Sequence, residues 1–301
     1  MSEYIQHNQT VMAFDSSESW VILSPIELSI KQKIESIGTP LKNWDISINY
    51  GIKTGFNDAF IISGEKKNEL ISQDPKSAEI IRPILRGRDI KRYSYTFADL
   101  WLIATFPSRQ YNIDDYPAVR DYLLTFGIER LEQTGKSHKI NGETVKSRKK
   151  TSNQWFETQD SISYWDDFSK QKIVWARLSR ISKNDFYDFP RFSLVDSNYF
   201  VVDSLCFFTG NNLDKLVHML NSEFSAYYFF NTVAILDTGG MQMRQQYVEN
   251  IPLPVNISFE DKSDYESINL SIYEAFNFTE DEITYIKDYL KEKKEEISAT
   301  H

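Results

Sequence analysis

The stretch from Asn198 to Phe208, NYFVVDSLCFF, is dense in β-branched and aromatic residues. Such residues suit a pleated, packed surface, so the stretch reads as a strand. ISINY (46–50), DAFIIS (58–63), DLWLIAT (99–105) and KIVWARL (172–178) read the same way. From Asn212 the period changes. Leu213, Leu216, Val217, Leu220, Phe224, Tyr227 and Tyr228 follow helical spacing, and a further helix over 262–276 carries Tyr265, Ile268, Ile272 and Ala275 on one face. A chain that first runs in strands and then in helices is expected to fold as α+β, a mixed or antiparallel sheet followed by a helical C-terminal region.

Helix boundaries are written into the sequence at two places. Ser24-Pro25-Ile26-Glu27 combines an N-cap, a proline at the first helical position and a glutamate at the third. Ile26, Ile30, Ile34 and Ile37 form one apolar face before Gly38 and Pro40 stop the helix. Thr279 to Glu282 spell a second capping box, with Phe278 and Ile283 spaced for a hydrophobic staple, and the last helix ends in a charged, solvated and fraying tail, KEKKEEISATH. The polar, basic segment 130–154 is expected to be a long loop or an exposed arm. There is no internal repeat.

The 301 residues carry a net charge of −9, but unevenly. Residues 1–30 hold four acids and no base, and residues 257–301 hold twelve acids against five bases. Between them, bases cluster: five against one acid in 82–92, seven against two in 130–150, six against two in 170–191. Because fields are screened within about 10 Å, such local patches decide phosphate binding more than the total does. The single cysteine, Cys206, cannot form an internal disulfide, which makes a reducing cytoplasm the natural compartment. Between Leu205 and Phe207 it is expected to be a buried, inert thiol. No segment reads as a signal peptide or a membrane span.

The glycine-rich stretch INYGIKTGFNDAFII (48–62) invites a phosphate-loop reading and fails it. A Walker loop needs four residues before a Gly-Lys-Ser/Thr triplet, whereas here three residues separate the glycines and Lys53-Thr54 precedes Gly55. A strand–turn–strand with glycine supplying positive φ accounts for Gly51 and Gly55. It does not account for Lys53, Thr54 and Asn57 on an exposed loop, which become contact candidates. The chain has no adjacent prolines and no Gly-x-Gly, so no methyl-transfer machinery is recognisable in it. Asp58 with Glu65-Lys66-Lys67 matches a metal-dependent nuclease pattern only loosely, as does Glu292-Lys293-Lys294 in the tail. One cysteine and four scattered histidines do not make a zinc site.

Four polar–aromatic constellations are more informative. RGRDIKRY (86–93) carries Arg86, Arg88, Lys91 and Arg92. SRKKTSNQWF (147–156) joins Lys149 and Lys150 to Asn153, Gln154 and Trp155. KIVWARLSR (172–180) ends a strand with Arg177 and Arg180, and GGMQMRQQ (239–246) sets Gln242, Arg244 and Gln245 after a double glycine. Arginine and lysine suit phosphates and guanine edges, while asparagine and glutamine suit adenine, so these residues are candidate DNA contacts. A solvated charged face is the competing account of RGRDIKRY, and glutamines on a helix surface are individually unremarkable.

Taken in order, the motifs resemble a known family. They are the capped helix, Gly51 to Phe60, IRPILRGRDI (81–90), Trp155-Phe-Glu, KIVW (172–175), Leu220-Asn-Ser222 before Tyr227-Tyr228, and YVENIPLP (247–254). This set is similar to the TaqI-like C-terminal specificity domain of adenine-specific DNA methyltransferases, and in particular to the target-recognition region of type IIG restriction–modification enzymes. The resemblance covers about residues 20–256. It implies a sequence-specific DNA-recognition domain, without catalysis of its own, for a parent enzyme that transfers a methyl group to adenine N6. It also implies a linker remnant at 1–20, the specificity domain over 21–256 and a helical extension over 257–301. The implied partners are double-stranded DNA and a methyltransferase/endonuclease domain, in cis or as a separate subunit, with no membrane. S-adenosylmethionine and Mg²⁺ are expected in those parent domains and no cofactor in this chain. An assembly or scaffolding piece of a restriction–modification system is the alternative reading.

Overall fold

The computed structural model describes residues 23–181, 186–236 and 240–300, with side chains as far as Ile297. The acidic segment read as a linker lies outside these residues. In chain order the main elements are α1 (Pro25–Ile37), β1 (Ile46–Tyr50), β2 (Ile61–Ser63), α2 (Gly64–Gln73), β3 (Ile81–Leu85), β4 (Leu100–Ile103) and α3 (Pro117–Leu124). There follow β5 (Ser137–Ile140), β6 (Glu143–Lys146), β7 (Lys172–Ala176), β8 (Phe192–Val195), β9 (Phe200–Val201) and β10 (Leu205–Gly210). The chain continues with α4 (Leu213–Leu220), α5 (Glu223–Thr232), α6 (Tyr265–Ala275) and α7 (Glu280–Thr300). The fold is α+β, as the succession of strands and helices predicts.

Two four-stranded sheets form the body. The first has the order β8–β7–β10–β1 and is antiparallel throughout. The second has the order β9–β3–β4–β2, with β9 parallel to β3 and the other pairs antiparallel. Side chains alternate across a strand, and here the alternation splits the apolar residues between two cores. Ile173, Trp175, Phe192, Cys206 and Phe208 enter one core with α1, α4, α5, α6 and α7. Val174, Val195, Leu205 and Phe207 enter the other, with Ile62, Ile84 and Leu102 of the second sheet. The first sheet is therefore a middle layer covered on both faces, which is why its central strands, β7 and β10, read as near-continuous apolar runs.

Ser24 and Glu27 close the capping box of α1 reciprocally, at 2.6 and 3.4 Å. Thr279 and Glu282 do the same for α7, at 2.7 and 3.3 Å. Glu282 also accepts from Lys33 and Ser29, at 2.6 Å each, and the Tyr285 hydroxyl donates to Glu27 at 2.8 Å. The C-terminal helices are thus built into the same core as α1. The helix α7 runs to Thr300.

Three expectations need correcting. The run 198–208 is not one strand: the turn at Val202–Ser204 divides it, and β9 and β10 join different sheets. The segment 130–154 is not a loop throughout. It contains the β5–β6 hairpin, whose Asn141-Gly142 turn holds φ of 51° and 87°, followed by a loop that packs against the second core. Such Asn-Gly pairs favour the turn conformation that matches strand twist. Asn57–Phe60 is a helical turn, with only Ile61–Ser63 extended after it.

Candidate functional site

The glycine stretch is a crossing between sheets, since β1 belongs to the first and β2 to the second. Backbone bonds fasten it to the turn after β9: Gly51 N–H to Leu205 at 3.0 Å, Ile52 N–H to Val201 at 2.8 Å and Asp203 N–H to Ile52 at 2.9 Å. The two segments run so close that a Cβ on Gly51 would stand 1.9 Å from the Val202 carbonyl oxygen. Gly55, by contrast, has φ of 78°. Positive φ therefore explains one glycine, and close approach explains the other.

Lys53 projects into solvent from this crossing, while its N–H bonds the Asp160 carboxylate at 3.1 Å. Burial lifts the Asp160 carboxyl above its usual range, against the pull of that bond and of the charges on Lys53 and Lys149. Thr54 is buried. Its hydroxyl donates to Asn57 Oδ1 at 2.6 Å and accepts from Phe56 N–H at 3.1 Å, so it shapes the loop from inside instead of facing outward. Asn57 is exposed but carries that bond.

Beneath the crossing lies Arg148, only 4% exposed. Its guanidinium donates to the carbonyls of Leu131 (2.7 Å), Thr54 (3.0 Å), Glu157 (2.7 Å) and Trp155 (2.6 Å) and stacks 4.9 Å from the Phe60 ring centre. Burial pushes its pKa down to about 10, partly countered by the charge on Glu157. This one side chain ties the crossing to the 153–157 loop. Sequence reading had only its place in a basic run and no signal that it turns inward. In the same loop Asn153 Nδ2 bonds the carbonyls of Thr158 and Gln159 at 3.2 and 3.0 Å, and Trp155 is half-buried edge-on to Phe156. Gln154, Lys149 and Lys150 are exposed.

The turn at Asp203–Ser204 links the crossing to the other basic segments. Arg177 donates its N–H to Ser204 at 2.9 Å and its Nη1 to Asp203 at 3.0 Å, with its guanidinium 5.6 Å from the Tyr50 ring centre. A Cβ on Gly87 would lie 3.6 Å from Ser204 Oγ. Arg86 is held by Asp89 in a two-pronged pair at 3.1 and 3.0 Å, which raises its pKa, while Arg88 and Lys91 are exposed. A cavity of about 120 Å³ joins Gly87 and Ser204 to Ser179, Arg191 and Met243. Ser179-Arg180 pairs with Gly240-Met241, which brings Arg180, exposed, to the segment that contains Gln242, Arg244 and Gln245. Gln242 and Gln245 are half-buried, and Gln245 Nε2 bonds Glu249 at 3.0 Å.

Arg92 leaves this edge. It donates to the carbonyls of Tyr187 (2.6 Å) and Asn221 and sits 4.4 Å from the Tyr265 ring centre, tying the segment to the helical layer. The ten candidate cations therefore divide. Arg86, Arg92 and Arg177 are held by protein groups. Lys53, Arg88, Lys91, Lys149, Lys150, Arg180 and Arg244 are exposed, and among the described residues none of these seven makes a side-chain hydrogen bond or ion pair. These seven unpaired cations come from five separate stretches of sequence, and Lys53 and Lys149 both act on the Asp160 carboxylate.

The lysines of the loosely nuclease-like pattern are otherwise engaged, Lys66 on Glu69 at 2.5 Å and Lys67 over Trp101 at 3.9 Å. Among the described residues no cluster of histidine, cysteine or acidic side chains is arranged to hold a metal ion, and no helix is long and apolar enough to cross a membrane. Cys206 is buried, and burial pushes its thiol up to about 12.

The family model described as the TaqI-like C-terminal specificity domain matches residues 82–253. Among solved structures, the type IIL restriction–modification enzyme MmeI, determined in complex with DNA, is similar at a TM-score of 0.52 and 13% identity. That match covers 87% of this chain and 37% of that one. The type IIG restriction endonuclease BpuSI gives a TM-score of 0.45 at 14% identity, over 83% of this chain and 28% of that one. The chain thus spans well under half the length of either enzyme. No curated protein matches the sequence.

Proposed function

The chain belongs to the TaqI-like C-terminal specificity domain family, and from that premise we propose that it is a sequence-specific DNA target-recognition domain. The observation that carries this reading is the set of seven exposed, unpaired cations. Cations without protein partners release counterions when phosphates approach, which drives non-specific affinity and fixes register on the duplex. Gln154, Gln242 and Asn57 stand beside them as groups able to meet base edges. In this proposal Arg86, Arg92, Thr54 and Asn153 act indirectly, by holding the loops that display the others. Arg177 does both, bracing the turn at Asp203 while its guanidinium stays exposed.

The finer reading is a type IIG parent that methylates adenine at N6 in the cytoplasm. There S-adenosylmethionine and Mg²⁺ bind the methyltransferase and nuclease parts, and this chain contributes no catalytic group. Flipping the adenine costs a few kcal/mol, and the grip of a separate recognition domain offsets it. A second reading, assembly with a partner domain, draws support from an apolar groove of about 560 Å³ between α1 and α5, lined by Ile30, Ile34, Tyr227 and Tyr228.

The test is equilibrium binding of the purified chain to a pool of random duplexes. Arg88→Glu with Arg180→Glu should abolish binding, while Lys31→Glu on α1 should not. Equal binding by all three proteins would remove the DNA-recognition reading.

A further inference from the structure

Three exposed apolar side chains lie beside the Arg177–Arg180 segment. Leu178 is 47% exposed, Tyr50 48% and Ile235 46%. They are neighbours through the same short ribbon. Arg177 stacks on Tyr50, Leu178 follows it, the next two residues pair with Gly240-Met241, and Met241 bridges to Ile235. Leu178 is mechanically backed: its Cδ1 would lie 2.9 Å from a Cβ on Gly240, a residue that has none, and it borders the 120 Å³ cavity together with Trp175 and Met243. An exposed leucine with Arg177 and Arg180 within two residues is poorly suited to another apolar protein surface. It suits a polyanion that has apolar features between its phosphates.

We propose that Leu178 and the cavity beside it form an apolar reading point for the C5-methyl group of a thymine, resting on the DNA-recognition reading above. In the major groove that methyl is the one apolar feature of a base edge, and it distinguishes a thymine from a cytosine at the same position. Arg177 and Arg180 set the depth at which the ribbon meets the groove, and Leu178 supplies the contact. Half its surface is free now, and the duplex covers it in the complex.

The experiment uses the full chain and duplexes selected by it from a random pool. Each thymine of a selected duplex is replaced in turn by deoxyuridine, which deletes one methyl and nothing else. One buried methyl is worth about a fourfold change in affinity, from about 0.8 kcal/mol. The expected result is one position at which the replacement weakens the wild-type protein about fourfold and leaves Leu178→Ala unaffected, with Leu178→Met retaining part of the sensitivity. Since Leu178 is half exposed, the alanine variant should remain folded, with a urea midpoint only slightly below that of wild type. Equal sensitivity of wild type and Leu178→Ala at every thymine overturns the proposal while leaving the recognition reading intact. Absence of duplex binding by the wild-type chain removes both.

Discussion

Replacing Arg148 by methionine keeps the side chain's stem and removes its guanidinium, and the consequences can be worked bond by bond. Four carbonyls lose a donor. Thr54 keeps the Gln159 N–H at 3.2 Å, and Glu157 keeps Gln133 Nε2 at 3.0 Å. The carbonyls of Leu131 and Trp155 are left bare. Two unsatisfied carbonyls cost about 4 kcal/mol and the two surrendered charge-assisted bonds about another 3. Releasing the cation from its buried seat returns about 3, from a pKa pushed down to about 10 at about 1.4 kcal/mol per unit. The net loss is about 4 kcal/mol, large for one substitution. Urea denaturation should show it as a lower midpoint with an unchanged slope. DNA affinity should fall as well, because the crossing that displays Lys53 loses its anchor, although Arg148 itself reaches no solvent. Lys149→Met, one residue away and exposed, should change stability by less than about 0.5 kcal/mol. A loss below about 1 kcal/mol for Arg148→Met would refute the reasoning.

Gly51→Ala should destabilise by at least about 2 kcal/mol, as overpacking against unyielding backbone does, because its methyl would meet the Val202 carbonyl at 1.9 Å. Gly87→Ala, with its nearest atom at 3.6 Å, should be close to neutral in the same thermal melt. Lys172 is fully buried on β7, bonded to the carbonyls of Phe168 and Asp196, and burial pushes its pKa down to about 8. Between that value and its unfolded value near 10.4 the unfolded chain binds more protons at this group, so Lys172 contributes stability that rises from pH 8 towards pH 10, opposed above about pH 9 by the buried Cys206 thiol. The contribution is at most about 3 kcal/mol, and the stability difference between wild type and Lys172→Met, from urea titrations taken at each pH, should shift in favour of wild type by up to that amount between pH 8 and pH 10.

How much of this could be read from the sequence depended on the range of the interaction. The caps of α1 and α7 were legible because a capping box is complete within four residues. Strand β7 was legible from its β-branched run. The Asn141-Gly142 turn was equally local, but it sits among so many lysines that the charge dominated the reading. The break at Asp203-Ser204 and the crossing at Gly51 were not legible, because each depends on a segment about 150 residues away. The site divides on the same line. Residue types identified the cations correctly as a set, but which of them are spent inside the fold depends on distant partners. Arg92 meets Asn221, and Thr54 turns towards Asn57 because Arg148 and Gln159 hold its carbonyl. Leu178 carried no signal at all, since a leucine at a strand end is usually core.

The most direct measurement of the central claim is the salt dependence of duplex affinity for the full chain. If all seven unpaired cations meet phosphates, the logarithm of affinity falls with the logarithm of salt concentration at a slope of about −6 at the steepest, about 0.9 for each contact. Arg88→Gln together with Arg180→Gln should make the slope shallower by about two units, while Arg92→Gln should leave it unchanged. A slope that is the same in wild type and in the double variant, or an affinity indifferent to salt, would contradict the account.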